Sequence, residues 1–349
     1  MTDVLSTKPI ETIAPLYGRK WKVSVLVPNS ENPEDQTYTA HVLSDSDYEE
    51  QALRVTFNIQ KHGWVTPNFS EISVYNVAPD IENIILKNGM IVRVEAGYVN
   101  GVFGLIYEAP IFQPLWDRQN VVDSIVTFRC IDAQGIIYDN YVATTGFLKT
   151  QKGMLIDMAA RARQPFKLRK ENMSDSLEDK KLVRPKIFFD KPSYYIRKYA
   201  QQNGTLPSYI DLDAYITKPQ DPVSASALDN ALVISPGEGG LIGVPQQTQD
   251  GVNFTCLLNP LIRVFNIPDD KKINCMLVKI DKSIIRQAEI QPNQESYSKL
   301  DQDWTYKVIG VNHVGDTRGG DWYTKVSGVD QSMSGLRGAM WTTQNSVNK

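Results

Sequence analysis

The stretch that decides the fold runs from Leu53 to Ile81 and reads LRVTFNIQKHGWVTPNFSEISVYNVAPDI. Every second residue from Leu53 to Ile59 is apolar, and Glu71–Val77 follows a similar alternation. A period of two predicts strands that bury one face. The segment between them contains Gly and Pro, which predicts a turn. The stretch is therefore expected to form two strands joined by a turn.

The same alternation extends outward in both directions. Predicted strands are Trp21–Pro28, Met90–Tyr98, Val102–Phe112 and Ser124–Asp132 in the first part, and Val252–Leu258, Ile273–Ile280, Trp304–His313 and Trp322–Val329 in the last part. One brief helix is predicted at Pro79–Leu86, with Asp80 as the cap at its start and Gly89 at its end. Many short strands with turns between them favour a barrel or a sandwich.

The middle of the chain has a different composition. Met154–Arg163 is rich in helix-forming residues, and Pro192–Gln202 predicts a second helix that begins with a proline. Nine basic and five acidic side chains lie between Arg161 and Asp190, an excess of positive charge in a chain that is acidic overall. Such a segment is either a solvated surface excursion or a docking surface for an acidic partner or for nucleic acid passing nearby.

These patterns divide the chain into four parts. Residues 1–145 form a first β domain, 146–218 an α/β insert with the charged segment, 219–330 a second β domain, and 331–349 a flexible C-terminal tail. The predicted fold class is mainly β with an α+β insert, in which two β-barrel or sandwich domains flank a smaller, charged helical domain. The similar size of the two β regions suggests a duplication, although the residues show no convincing repeat. The polar tail is expected to become ordered against a partner.

Composition excludes several classes of protein. With 37 basic and 40 acidic residues, the net charge is −3, so the basic excess of proteins held mainly by nucleic-acid phosphates is missing. Cys130, Cys256 and Cys275 are odd in number and far apart, which predicts reduced core residues rather than disulfides or a zinc site. No apolar stretch approaches the ~18 residues of a membrane helix. Met1–Ile10 is unlike a secretory signal, so we expect a soluble cytoplasmic product.

Catalytic signals are few. The three histidines are His41, His62 and His313, and no HExxH, GxSxG or Walker motif is present. His313 lies near Asp316, where a hydrogen-bonded structural role is predicted. Five aspartates would permit a glycosidase-like pair, a signal no stronger than chance: Asp281, Asp301, Asp303, Asp316 and Asp321. The sequence thus predicts no catalytic residue, no metal ligand and no cofactor, and it identifies no binding residue.

Two further motifs are interpreted structurally. The string SPGEGGLIGVP (Ser235–Pro245) differs from a dinucleotide fingerprint, because Ile242 stands where the third glycine belongs and Pro245 opposes a following helix. It predicts a turn between strands. Trp64 lies in the predicted turn QKHGWVTPN, where it is either a core residue at a barrel rim or an exposed anchor for a partner.

Six strings follow one another in an order that is more specific than any of them alone. They are the stretch quoted first, NGMIVRVEAGY (Asn88–Tyr98), VVDSIVTFRCIDAQG (Val121–Gly135), YYIRKYAQQNG (Tyr194–Gly204), GGLIGVPQQTQDGVNFTCLLNP (Gly239–Pro260) and WTYKVIGVNHVGDTRGGDWYTKVSGV (Trp304–Val329). Together, over most of residues 18–329, they resemble the baseplate hub proteins of contractile phage tails and the related spike hubs of type VI secretion machines.

The resemblance implies two tube-type β domains per chain and a homotrimer with pseudo-sixfold symmetry. Such a protein is a structural, non-enzymatic virion component. It is the central baseplate hub, which joins the hexameric tail tube to the threefold spike and lines the channel for genome ejection. Implied partners are the tail tube protein, the central spike protein and baseplate wedge proteins, with DNA or a tape-measure protein in the lumen and no membrane anchor. The implied location is the virion, after synthesis in the host bacterial cytoplasm.

Two functions from other classes stay open at this stage. One is a tail-associated cell-wall hydrolase, which would need a carboxylate pair or a metal site. The other is a β-rich module that binds a receptor or carbohydrate through exposed aromatic residues such as Trp64 and Trp322.

Overall fold

The computed structural model describes residues 17–29, 37–63, 66–88, 90–132, 141–146, 150–161, 167–218, 231–237, 240–248, 251–265, 274–286 and 305–330. Within these ranges the chain is mainly β, as the alternation predicts, with seventeen strands and three α-helices. Each of those helices is too short or too polar to cross a membrane.

The strands are β1 (Arg19–Pro28), β2 (Tyr38–Asp45), β3 (Val55–His62), β4 (Phe69–Tyr75), β5 (Ile91–Tyr98), β6 (Phe103–Arg118), β7 (Ser124–Ile131), β8 (Val142–Gly146), β9 (Lys186–Asp190), β10 (Pro207–Ile210), β11 (Asp213–Ile216), β12 (Ala231–Val233), β13 (Leu241–Gln247), β14 (Gly251–Leu257), β15 (Asn274–Lys279), β16 (Thr305–Asp316) and β17 (Trp322–Asp330). The helices are α1 (Pro79–Asn88), α2 (Gln151–Ala160) and α3 (Pro192–Gln202). Short 3-10 helices span Glu49–Gln51 and Lys282–Ile284.

One large sheet contains thirteen of these strands. Its main order is β13-β14-β17-β16-β3-β4-β7-β6-β5-β1-β2, while β15 pairs with both β12 and β16. Neighbouring strands are antiparallel, apart from the parallel pair β12–β15. Because β16 pairs with β3, the last hairpin of the described chain extends the sheet of the first β region. Two small hairpins lie apart from this sheet: β10–β11 is within the insert, and in β8–β9 the last residues of the predicted first β domain pair with a strand of the insert.

Three large hydrophobic clusters lie beneath these elements, and a small fourth cluster contains Leu26, Ile91 and Leu212. The first belongs to the first β region and includes Phe57 and Phe128, with Trp322 added from β17. The second lies in the insert, where Phe188 and Ile196 pack together with other buried residues. The third belongs to the second β region. Alternation of apolar residues along the strands explains the first and third clusters, because every second side chain points to the same face, whereas the second is built mainly from α2, α3 and the segment between them. The domain boundaries given above remain predictions.

The structure corrects the cap of one helix and the start of another. Helix α1 begins at Pro79, so Asp80 lies inside the first turn and is not the cap. Its carboxylate there complements the helix dipole. Helix α2 begins at Gln151, ahead of the predicted Met154, because Thr150 Oγ1 accepts a hydrogen bond from Gly153 N at 3.2 Å and caps the earlier start.

The glycine-rich string is only partly a turn. Its first residues follow β12, as predicted, but Leu241–Gln247 is strand β13, so the prediction is wrong for the second half. Gly243 adopts a left-handed φ of 71°, and Pro245 lacks an N–H donor. Both features are tolerated because β13 ends the main strand order of the large sheet, where Pro is permitted.

Candidate assembly surface

The two β regions share one strand order. In the first, β3-β4-β7-β6 lie side by side, and β5 pairs with the beginning of β6. In the second, β13-β14-β17-β16 lie side by side, and β15 pairs with the beginning of β16. The described residues thus contain two structural repeats with the same topology, placed head to tail in one sheet.

A β-bulge at the same place in both repeats aligns them residue by residue. Between β6 and β7 the register shifts so that Phe112 has no partner. Between β16 and β17 the register shifts so that Ile309 has no partner. Bulges bend and twist a strand locally, so this equivalence extends to the strand's shape. Counting from the two bulges, Trp116 of β6 corresponds to His313 of β16.

The junction between the repeats is made by the second edge of β16. This edge pairs with β3 up to Asp316, whose carboxylate lies 2.7 Å from the Arg54 guanidinium. Burial raises the pKa of Asp316, but hydrogen bonds from Arg54 and from the backbone N–H groups of Arg318 and Gly319 outweigh it and hold the pKa below its usual value. The Asp316 carboxylate therefore has a structural role, in which it joins the end of β16 to Arg54.

His313 is buried at this junction. Its side chain is only 2% exposed, and its Nδ1 lies 2.9 Å from Thr324 Oγ1. Burial, together with the positive charges of Lys61 and Arg263, lowers the pKa of His313 to about 3. The predicted structural role is confirmed, although the hydrogen-bond partner is Thr324 and not the neighbouring Asp316.

The corresponding edge of β6 is open. Its end, Gln113–Arg118, pairs with β7 on one side, and no strand in the described ranges pairs with the other side, because β5 reaches only Pro110. Trp116 is 46% exposed and Phe112 is 55% exposed, in contrast to the buried His313. Apolar side chains on an unpaired strand edge indicate an interaction surface.

Sequence reasoning missed this edge because it ended the strand at Phe112. Pro114 in FQPLWDR argues against a central strand. Pro is found on edge strands, however, so the same residue was the available signal for an open edge.

The two repeats together form a run of eight strands from β13 to β6, and β13 lies at the end of this run opposite to β6. Ile242 and Val244 are 42% and 61% exposed there. Further along, Arg286 N donates to Pro245 O at 2.8 Å, and Gln247 N donates to Arg286 O at 2.9 Å. These two bonds cover the last part of this edge and Leu241 N donates to Ser235 O at its start, so the accessible part is Ile242–Val244.

The outer face of the run from β13 to β6 carries mainly polar side chains, with Ile242 and Phe69 as exposed apolar residues among them. One row crosses four strands and consists of Thr255, Lys325, Asn312 and Gln60. A neighbouring row places Glu71 opposite Arg129, so both signs of charge are present. A groove of about 570 Å³ lies on this face. The opposite face packs on the hydrophobic clusters, so one face of this sheet is buried and the other is exposed to solvent.

A polar contact fixes the insert to the sheet. Asp211, in the turn between β10 and β11, lies 2.6 Å from Lys61 Nζ of β3. Its carboxylate also accepts a hydrogen bond from Glu108 N of β6 at 3.2 Å. A cavity of about 170 Å³ lies beside this contact and is lined by residues of the insert and both β regions. The pair is therefore one of the contacts that hold the insert against the sheet.

A second buried carboxyl supports the same junction. Asn68 Nδ2 donates to Asp132 Oδ2 at 3.0 Å and to Tyr209 O at 3.2 Å. Burial, and then the nearby charge of Asp211, raise the pKa of Asp132 well above its usual value, against the opposing effect of Lys61.

The other candidates from the sequence are placed as follows. Trp322 is 4% exposed and its ring centroid lies 5.5 Å from that of Phe57, so its assignment as an exposed anchor is wrong. Asp281 accepts a hydrogen bond from Ser283 N at 2.8 Å in a short 3-10 helix. Trp64, Asp301, Asp303 and the tail lie outside the described residues.

The cysteine prediction holds where the structure tests it. Cys130 and Cys256 are free thiols in the core, and burial raises the pKa of both. The side chain of Cys275 lies outside the described set. In the ranges that the structure describes, no group of three or more His, Cys, Asp or Glu side chains is placed to hold a metal ion.

Comparisons give fold neighbours only. Neither the protein-family models nor the curated proteins contain a match. Among solved structures, a tail protein of Neisseria meningitidis MC58 is 9% identical, with 90% of this chain and 98% of that chain covered and a TM-score of 0.44. The 43 kDa tail protein of prophage MuSo2 from Shewanella oneidensis is 8% identical, with coverages of 90% and 99% and a TM-score of 0.47.

A third neighbour is the E. coli c3393 protein, a type VI secretion component. It is 8% identical, with 79% of this chain and 73% of that chain covered and a TM-score of 0.42. These neighbours belong to the classes of protein that the sequence strings resemble. At such identities and TM-scores they identify what the chain is similar to, and no function is transferred from them.

Proposed function

We propose that the chain is a structural virion protein, the hub of a phage tail baseplate, and that it closes into a homotrimeric ring by pairing strand edges between copies. The single observation that carries this is the repeat. In one chain, the edge of β16 is paired with β3, while the equivalent edge of β6 is open. Since β3 corresponds to β13, joining β6 of one copy to β13 of the next would repeat the internal junction.

Head-to-tail contacts of this kind form rings when the rotation closes. Two repeats per chain in three chains give six similar units, which suits a sixfold tube on one side and a threefold spike on the other. Docking would occur at the exposed Ile242–Val244 part of β13 or would displace Arg286. The sequence resemblance to hub proteins supports three copies over other numbers.

The polar face is proposed as the wall of the channel. Its side chains are mainly amides and hydroxyls, and Glu71 stands opposite Arg129. A wall without a basic excess would let DNA or a tape-measure protein pass without strong binding, because phosphate affinity depends on clustered cations. The tail tube, the spike and the baseplate wedge are the partners proposed for the remaining surfaces.

We also propose that the chain is not an enzyme. His313 and Asp316, the pair noted in the sequence, are both committed to the junction between the repeats. A zymogram on peptidoglycan with the purified chain should show no clearing. Clear lysis would refute the structural assignment and favour a cell-wall hydrolase.

The ring is tested by sedimentation velocity. The unmodified protein should sediment as a particle of three 39.3 kDa chains, and negative-stain images should show a central opening. The double substitution Phe112→Ser with Trp116→Glu should give monomers, because it removes the apolar side chains from the open edge of β6. Both side chains are exposed in the single chain, so their loss should not prevent its folding.

Phe69→Ser is the matched control. Phe69 is 63% exposed on β4, a strand whose two edges are already paired, so this variant should remain trimeric. A monomeric unmodified protein at tens of micromolar, or a trimer that survives the double substitution, would contradict the proposed ring.

A further inference from the structure

The turn between β6 and β7 carries two exposed valines. Val121 and Val122 are 90% and 85% exposed. Asn120 Oδ1 holds the turn in shape by accepting hydrogen bonds from Val122 N at 2.8 Å and from Asp123 N at 2.7 Å. A turn that is already ordered loses little conformational entropy when it binds a partner. We call Gln119–Asp123 the β6–β7 tip.

The equivalent turn of the second repeat shows what such a tip contacts. This turn, Asp316–Asp321, joins β16 to β17 and lies against the residues at the start of β3. Arg318 Nη2 donates to Ala52 O at 2.9 Å, and Asp316 forms the ion pair with Arg54 described above. Charged side chains on both sides therefore hold the internal contact together.

The same register places the β6–β7 tip beside the start of β13 in a neighbouring copy. Counting from the bulges makes Gln119 equivalent to Asp316. Counting across the paired strands makes Ile242 equivalent to Thr56. Asp316 stands opposite Thr56 in the internal junction. In the proposed ring, Gln119 of one copy therefore stands opposite Ile242 of the next, within the accessible part of β13.

The charges of the internal contact are missing from both sides of this contact between copies. Its three charged residues have uncharged counterparts, which are Gly240 for Arg54, Gln119 for Asp316 and Val121 for Arg318. The loss is matched, since one counterpart belongs to the β13 side and two belong to the β6–β7 tip. Such a match is expected of two surfaces that face each other, because a charge retained on one side alone would be desolvated without a partner.

The β13 side has room for apolar side chains. In the described ranges, no atom beyond the adjacent residues lies within 4 Å of the position that a Cβ would take at Gly237 or Gly243. Ile242 and Val244, on either side of Gly243, are 42% and 61% exposed. This side is therefore apolar and open in the single chain, as the β6–β7 tip is.

We infer that the β6–β7 tip of one copy docks through Val121 and Val122 on the start of β13 in the next copy. The inference rests on the proposed ring, and it names the contact that takes the place of the internal ion pair between copies. Burial of the two valines stabilises this contact through the hydrophobic effect, whereas the internal contact relies on charge.

Sedimentation velocity over a dilution series tests the contribution of the valines in the full chain. Val121→Ser with Val122→Ser should raise the protein concentration at which half of the trimers dissociate about tenfold, because two apolar anchors are lost. Val183→Ser is the matched control, since Val183 is 91% exposed in the insert. This control should leave the dissociation unchanged.

Disulfide cross-linking tests the register. Gln119→Cys with Ile242→Cys should give covalent dimers and trimers under mild oxidation, because residues directly opposite each other in paired strands lie within disulfide distance. Gln119→Cys with Val183→Cys should stay uncross-linked. Trimers that persist undiminished in the valine variant, or that form but fail to cross-link, would overturn this inference and leave the ring standing. A monomeric unmodified protein would overturn both.

Discussion

Replacing Lys61 with methionine removes the only cation of the described residues that forms an ion pair with Asp211, and it leaves that carboxylate in the junction between the insert and the sheet. The Lys61 and Asp211 side chains are 12% and 23% exposed and lie 2.6 Å apart. Removing one member of a buried pair costs about 3–5 kcal/mol, because the remaining charge is desolvated without compensation. The residual exposure of this pair reduces that value, and we expect a loss of about 3 kcal/mol in the free energy of unfolding.

The exposed pair Lys180–Glu178 is the internal standard. Its nitrogen and oxygen are 2.7 Å apart, almost the same distance, but the side chains are 69% and 62% exposed. Ion pairs in such surroundings contribute about 0–1 kcal/mol, so Lys180→Met should be nearly neutral. Both substitutions remove a lysine ammonium from an ion pair with a carboxylate at a similar distance. The difference in burial is therefore the reason for the different losses of stability that we expect.

Urea unfolding at neutral pH, followed by intrinsic fluorescence, measures both variants. Asp211→Asn and the double variant with Lys61→Met complete a cycle whose interaction energy should be about 2 kcal/mol. Asn is suited to this position because Asp211 has a left-handed φ of 56°, which Asn tolerates. If Lys61→Met costs no more than Lys180→Met, the junction does not depend on this pair and the reasoning fails.

Three further outcomes follow from the same geometry. Because the folded state keeps His313 neutral down to a pKa of about 3, the free energy of unfolding of His313→Gln should rise relative to that of the unmodified protein by roughly 1.4 kcal/mol per pH unit as the pH falls below about 6.5, as measured by urea unfolding. The raised pKa of Asp132 has the opposite effect on the pH dependence of stability, because its stabilising contribution is present at low pH and is lost as the pH rises. The free energy of unfolding of Asp132→Asn should therefore increase relative to that of the unmodified protein between pH 5 and 8. Gly315→Ala places a Cβ 2.2 Å from Phe57 Cζ and should cost about 1–3 kcal/mol in thermal unfolding, whereas Gly320→Ala, with open space around it, should be neutral.

Local patterns in the sequence predict ten of the seventeen described strands and helix α3. Apolar alternation places Val55, Phe57 and Ile59 on one face, and all three are buried. Pro192 marks the first residue of α3, since a proline at that position lacks only an N–H that the helix would leave unpaired. These properties depend on neighbours along the chain, which is why they can be read without the fold.

The tertiary structure alone decides which strands meet, and it therefore decides the candidate surface. Trp116 and His313 are residues of different chemical type, yet each lies four residues after the bulge of its strand and so occupies the equivalent position. His313 is buried at the edge of β16 that pairs with β3, while Trp116 is exposed because no described strand pairs with the equivalent edge of β6. Trp322, expected at the surface, is covered by Phe57 from a strand far away in sequence. The sequence by itself determines that strands with one apolar face exist; edge pairing joins residues hundreds of positions apart, and only the folded sheet shows which edge remains open.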